Sequence, residues 1–332
     1  MSISRRHVLA SGCLSGLGVA MYPAAKALAQ PGPSALARIY IGFPPGGTTD
    51  AVSRHIANKL QPDYARSVIV ESKVGASGQV AIQALKTAPN DGNSMVMTPM
   101  SILGVFPHTY KKLSYDPFKD VKAVSRGVSY NYGFAVGPAV PASVTTVPQF
   151  MEWCKQNPDK ASFGSGSTGS TLHFVGVLLG KASGVSLTHV GYRGSSQMLT
   201  DVAGGNIPAC SSPIGDLLAY EASGRLRVLG TSGQQRSRFL PKVPTFVESG
   251  YKDMAFTEWY GFYLPPGATA AQVQRLNQSI VHALADPSVV ESLSLLGMEA
   301  TPSTPQALEA LLKSDHARWE ALVKSVGFTV DS

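Results

Sequence analysis

Residues 37–60 read ARIYIGFPPGGTTDAVSRHIANKL. The opening ARIYI is β-branched and aromatic, as a strand requires. The closing AVSRHIANKL sets Val52, Ile56 and Leu60 on one helical stripe. Between them, Phe43 to Asp50 pack two prolines, two glycines, two threonines and one acid into a single connection. A strand that runs through such a turn straight into a helix is the first half of a βαβ unit, and the rest of the chain follows from it.

Outward from this stretch the alternation continues. SVIVES (67–72) reads as a second strand. GQVAIQALKTA (78–88) reads as a helix with Val80, Ala84, Leu85 and Ala88 on one face, and SMVMTP (94–99) as a third strand. Residues 114–138 then hold two strand-like pieces with no convincing helix between them, which marks a crossing into a second domain. Alternation resumes from VPQFMEWCKQNP (147–158) to LRVLGTS (226–232). MAFTEWYGFYLPPG (254–267) reads as a second crossing strand, and the remainder as helices. The expectation is an α/β protein of two lobes. Lobe 1 takes residues 35–125 and 260–332, and lobe 2 takes residues 126–259. Hinges fall in the crossings, and the ligand sits in the cleft between lobes.

Of 332 residues, 44% are hydrophobic and 15% charged, with a formal net charge of +7. The basic excess is dispersed, without the clustered stripe that a nucleic-acid surface needs, so no nucleic-acid partner is expected. Residues 1–29 follow the order of an export signal: Arg5 and Arg6, an apolar Gly/Ala-rich run, then Ala27–Leu28–Ala29 for cleavage. The twin arginines fit the Tat route, but Sec signals also carry Arg pairs, and both routes stay open. A periplasmic location follows. Cys13 goes with the signal. Cys154 and Cys210 read either as two small buried hydrophobes or as a disulfide that an oxidising compartment would permit.

Four loops at strand ends are rich in Gly, Ser and Thr: FPPGGTTD, VGASGQ, FGSGSTGS and YRGSS. Glycine allows close backbone approach, and helix N-termini offer unpaired N–H groups at a positive dipole end. Together they make an anion site without Lys or Arg. A carboxylate suits it. Asp50 reads as a charge at its own helix start, or else as a partner for a ligand ammonium or hydroxyl. His173 reads either as a donor to a ligand carboxylate or as a helix residue packed under the loop. Phe43, Tyr130 and Tyr192 are candidates for the cavity lining. GSGSTG (164–169) matches GxGxxG, but no acid follows about 20 residues on to hold a ribose, so a nicotinamide site is not expected. No P-loop, GxSxG elbow or HExxH is present, and the histidines lack metal-ligand spacing. No cofactor and no metal are expected.

FPPGGTTDAVSRHIANKL, VGASGQVAIQALKTAPNDGNSMVM, FGSGSTGSTLHFVGVLL, VGYRGSSQMLTDVAGGNIP, GRLRVLGTSGQQRSRFLPKVPTFVESGY and WYGFYLPPGATAAQVQRLNQSI together resemble the Bug family. These are periplasmic solute-binding proteins of tripartite tricarboxylate transporters. The resemblance runs in order across almost the whole chain after the signal. It implies a type II-like Venus-flytrap fold that closes on a small organic acid. It also implies membrane transporter subunits as partners, with the binding protein itself a monomer and not an enzyme. By motif match it assigns carboxylate-gripping loops to Phe43, Pro45, Gly46, Gly47 and Thr48, and to Ser165, Gly166, Ser167, Thr168, Gly169 and Ser170. It adds Ala76, Ser77 and Gly78, and Thr98, Pro99 and Ser101, as cleft lining. His173, Tyr192, Arg193 and Gly194 complete the expected site.

Two departures bear on the ligand. Members of that family usually carry an acid in the second lobe, ahead of a GKLR-like segment. Here Pro208 and Ser212 stand where acids are frequent, and Asp216 comes later, on the helix. The loss predicts a ligand without an amino group, unless Asp50 or Asp216 reaches it instead. Where the family often shows ENRPGAGG, this chain has ESKVGASG, with Lys73 and Ser77 in place. The competing functions are a ligand sensor for signalling and an exported enzyme using the same cleft.

Overall fold

The computed structural model describes residues 33–330; the expected export signal lies outside the described residues. The chain first forms β1 (Ser34–Ile41), α1 (Thr48–Leu60), β2 (Ala65–Ser72), α2 (Gln79–Lys86), β3 (Ser94–Pro99), α3 (Met100–Gly104), α4 (Phe106–Thr109) and β4 (Lys122–Tyr130). It continues through β5 (Tyr132–Val136), α5 (Val147–Gln156), β6 (Ser162–Ser165), α6 (Thr171–Ser183), β7 (Thr188–Gly191), α7 (Ser195–Ala203), β8 (Ala209–Pro213), α8 (Ile214–Ala222) and β9 (Arg227–Thr231). It returns with β10 (Glu258–Leu264), α9 (Ala270–Ala285), α10 (Pro287–Leu295), β11 (Glu299–Ala300) and α11 (Pro305–Val326).

The strands make two sheets on one plan. The first runs β11-β4-β10-β3-β1-β2 and the second β7-β6-β8-β5-β9. In each, three strands of βα units lie parallel, and an antiparallel strand is inserted beside the third. That inserted strand, β10 or β5, is the one delivered by a crossing of the chain. By sheet membership the crossings lie at Asn131 and just before Glu258, so the expected lobe changes at residues 126 and 260 fall inside β4 and β10.

Burial explains the elements. In α1 the stripe Val52, Ile56 and Leu60 is buried together with Ala57. β3 and β10 are buried along their whole length, as interior strands covered on both faces must be. The α2 face differs from the expected one. Ala81, Ile82 and Leu85 point inward, whereas Val80 turns toward the Gly75 turn. Cys154 and Cys210 are both buried and free, so neither is in a disulfide. Burial pushes each thiol up to about 12.

The two sheets share apolar contacts through α11 and the segment after it. Trp319 of α11 is fully buried and sits 5.7 Å, centroid to centroid, from Phe174 of α6 and 5.6 Å from Phe256 of the second crossing. Phe328, just past α11, packs edge-on against His173 at 4.5 Å. At the crossings, Glu258 is fully buried. Its carboxylate accepts the Tyr132 hydroxyl from the second sheet and the Ser101 N–H, the latter at 3.1 Å. Burial dominates these hydrogen bonds and raises the carboxyl to about 7.

A carboxyl raised in the fold above its ordinary 4.5 contributes stability that is complete below about pH 4.5. That contribution is lost as pH rises through 7, on the order of 3 kcal/mol in all. Glu258→Gln keeps the shape and cannot ionise. Urea unfolding of both proteins from pH 5 to 8 should therefore show the variant gaining on the native chain as pH rises. A stability difference that stays flat over that range would count against an ionisable Glu258 at the crossing.

Candidate functional site

Parallel strands deliver their following helices to one edge of each sheet, and the two edges face each other across a cavity of ≈ 320 Å³. Residues of the loops after β1, β3, β6, β7 and β8 line it, together with Tyr130 and Tyr132 at the first crossing and Tyr260 of β10.

Four helices of eight or more residues begin on this wall: α1, α6, α7 and α8. Their N-cap residues, Gly47, Ser170, Gly194 and Pro213, all line the cavity, and none receives a side-chain cap hydrogen bond. Of the five helices of this length that begin elsewhere, α2 is also uncapped, at Gly78, and the other four carry caps. Thr146, Thr269, Asp286 and Thr304 each cap their helix, α5, α9, α10 and α11, with a side-chain oxygen. Every one of the four starts that face the cavity lacks a cap. The wall therefore presents unpaired N–H groups and four positive dipole ends. Ser167, on the same wall and nearly buried, has a hydroxyl without a hydrogen-bond partner. Arg193 is exposed at the mouth.

Of the expected site residues, the wall takes Phe43, Pro45, Gly47, Thr48, Pro99, Ser101, Gly166, Ser167, Ser170, Arg193 and Gly194. The others stand behind it. Gly46, at φ +87, turns the first loop and donates its N–H to Asp50 at 3.2 Å. Asp50 pairs with Arg54 at 2.9 Å, so it belongs to its own helix start and not to the cavity. Ala76, Ser77 and Gly78 form a strained turn, with φ of 45° and 56° at the two non-glycine residues. That turn supports the Phe43 ring from behind, and Ser77 bonds the Tyr110 hydroxyl. Tyr110 in turn donates to the Thr168 carbonyl at 3.0 Å, and Thr109 donates to the Gly169 carbonyl at 3.2 Å. These contacts tie the first lobe to the GSGSTGS loop. Thr98 is buried within β3, and Tyr192 turns away to donate to Asp201 at 2.8 Å.

His173 is corrected as a ligand donor. It lies under the loop, its Nδ1 accepting the Gly169 N–H at 3.2 Å, with its ring stacked 3.9 Å from His189. Burial, and for His173 the neighbouring His189, lowers the two rings to about 3 and about 4, so both are neutral at pH 7. Ser165 is 2.8 Å from His189 Nε2. That Ser–His contact is off the cavity wall and Ser165 is fully buried, so it does not form a nucleophile open to a ligand. Among the described residues, no group of three or more His, Cys, Asp or Glu could hold a metal ion.

The larger surprise is Asp216. The sequence lacks the acid at Ser212 and left open that Asp50 or Asp216 takes its place; the Asp216 carboxylate is on the cavity wall. It lies in the first turn of α8, four residues beyond Ser212, whose hydroxyl donates to it at 3.2 Å. Thr48 donates to it from the opposite lobe, and Ser195 bonds it as well. Burial raises its carboxyl against the pull of these three hydroxyls. Tyr132 and Tyr260 were also missed. They come from crossing strands remote in sequence from the glycine loops, and no local motif marks them.

The family model described as the tripartite tricarboxylate transporter family receptor matches residues 52–328, and the chain belongs to that family. A UPF0065 protein of the tcbD-tcbE intergenic region in Pseudomonas sp. (strain P51) is 30% identical over 284 residues, covering 85% of this chain and 84% of its own. The solved structure of the periplasmic binding protein BugD has a TM-score of 0.83 at 27% identity, over 90% of this chain and 99% of its own. R. palustris Rpa4515, solved with adipate, has a TM-score of 0.85 at 27% identity and the same coverage. The two-lobed periplasmic binding protein fold expected from the sequence is thus the fold of this chain.

Gly47 has extended backbone (φ −89, ψ 174), and an added Cβ there meets no atom within 4 Å. Gly47→Val should therefore fold normally and fill the cavity beside the α1 start. Calorimetry should find carboxylate affinity at least about a hundredfold weaker, with the melting temperature unchanged. Gly166→Val is different, because a Cβ there falls 2.9 Å from the Gly194 backbone, and it should lose stability as well as affinity.

Proposed function

We propose that this receptor-family protein captures a small organic carboxylate between its two lobes in the periplasm and presents it to membrane transporter subunits. The observation that carries the reading is the convergence of four uncapped helix starts on one cavity. Backbone donors at dipole ends suit a carboxylate and need no buried cation. The adipate held by Rpa4515 supports the ligand class. An exported enzyme is disfavoured because the matching family model is that of a receptor and the matching structures are those of binding proteins. The protein acts as a monomer that arrives by an export signal in residues 1–29, and its lobes close about the two crossings.

One contact between the lobes lies beside the first crossing, where the Ile214 N–H donates to the Asn131 carbonyl at 3.0 Å. Gly215 of α8 faces Leu296, just after α10, so closely that an added Cβ would fall 1.8 Å from the Leu296 carbonyl oxygen. Only glycine lets the lobes meet there. Gly215→Ala improves helix propensity by about 0.5–1 kcal/mol yet wedges the lobes apart beside the crossing.

The test begins with a thermal-shift screen of organic acids, in which a ligand at a hundredfold excess over Kd adds about 2.7 kcal/mol of stability. No stabilisation by any carboxylate would refute the reading. With a ligand in hand, Gly215→Ala should bind about tenfold more weakly, and small-angle scattering should show no contraction on adding ligand where the native protein contracts. Native affinity and contraction in the variant would refute a part for this contact in closure.

A further inference from the structure

Asp216 sets a condition on the ligand that the helix starts alone do not. Three hydroxyls, from Thr48, Ser195 and Ser212, already bond its carboxylate. An ionised carboxylate has about four acceptor positions, so about one remains. The side chain stays partly open to the cavity, and no Lys or Arg is among the groups that set its charge state. Each of its three partners is a neutral donor. When Asp216 is ionised, its negative charge on the second-lobe wall is therefore hydrogen-bonded but not neutralised.

We propose that Asp216 is the specificity-determining residue of the cavity: it requires a hydroxyl or ammonium donor on the ligand and rejects a second carboxylate at that position. The inference rests on the carboxylate reading above and narrows it. A ligand with one carboxylate seats that group at the uncapped helix starts, and a donor toward Asp216 takes the remaining acceptor position. A dicarboxylate would bring like charge against Asp216 inside an enclosed site, where repulsion is least screened. Specificity then comes from the group that repels as much as from those that attract. The proposal takes the alternative that the sequence left open: the carboxylate absent at Ser212 is supplied four residues later by Asp216, a side chain that Ser212 itself holds.

The test is titration calorimetry on matched series: succinate, 4-hydroxybutyrate and 4-aminobutyrate; adipate, 6-hydroxyhexanoate and 6-aminohexanoate; terephthalate, 4-hydroxybenzoate and 4-aminobenzoate. In whichever series binds, the native protein should favour the hydroxy or amino member over the dicarboxylate by about tenfold or more. Asp216→Asn removes the charge and should erase that preference by strengthening the dicarboxylate. Asp216→Ser provides a second charge-free variant should the amide disturb the hydroxyl cluster. Thr48→Val breaks the contact across the lobes but keeps the charge, so it should weaken all members alike and leave their order intact. A dicarboxylate that binds tightest to the native protein, or an order that neither Asp216 variant changes, would overturn the inference while leaving carboxylate capture standing. Saturable binding by no member, native or variant, would overturn carboxylate capture itself.

Discussion

Everything in the cavity depends on one constraint of chain direction. A strand followed by a helix that packs back on its sheet sends the helix N-terminus to the strand's carboxyl end. Two sheets built on the same plan and set edge to edge therefore aim several positive helix ends at one volume. A side-chain cap is worth about 1 kcal/mol to a helix, and the chain uses caps at α5, α9, α10 and α11. It forgoes them at α1, α6, α7 and α8, where a ligand anion can do the same work. Because α1 comes from the first lobe and the other three from the second, an anion bound by both groups joins the lobes.

The rest of the molecule holds the lobes together through two kinds of contact. Trp319, Phe256, Phe174 and Phe328 form a continuous aromatic contact across the two sheets. The buried Glu258 joins β10 to Tyr132 of the second sheet. These contacts lie beside the crossings, where a rotation moves atoms least. The lobes also meet through small or polar groups: Gly215 against Leu296, Thr48 against Asp216, and Tyr110 against the Thr168 carbonyl. These contacts bury less apolar surface than the aromatic ones.

Much of this could be read from the chain because it is local. Strand and helix periodicity needs only neighbouring residues, and FPPGGTTD, FGSGSTGS and YRGSS announce helix starts by composition alone. The same locality explains the errors. His173 lies within a turn of FGSGSTGS, and sequence distance cannot say whether a side chain sits above a loop or beneath it. The structure places it beneath, stacked on His189, which comes from the neighbouring strand. The turn at Ala76–Gly78 has the composition of a binding loop yet serves as a support for Phe43 and Tyr110, because β1 and β2 bring it behind the first loop. Tyr132 and Tyr260 enter the wall through strand pairing in the crossings, a non-local fact with no sequence signature.

Asp216 shows most clearly how such a site divides its work. Position-by-position reading asks whether an acid stands where one is expected, and at Ser212 the answer is no. Which side chains reach that point in space is a different question, and Asp216, in the first turn of the helix after β8, meets Ser212 there. The backbone donors depend on the fold and survive nearly any side-chain change, so the proposed affinity for a carboxylate rests on the architecture. Choice among carboxylates cannot come from those donors, because every carboxylate satisfies them alike. It has to come from the few side chains that interrupt the backbone wall, and Asp216 is the only Asp or Glu among the cavity-lining residues described here. Under the proposal above, a carboxylate on the helix after β8 takes the place of one on the strand, and its direction of approach decides what the far end of the ligand must offer.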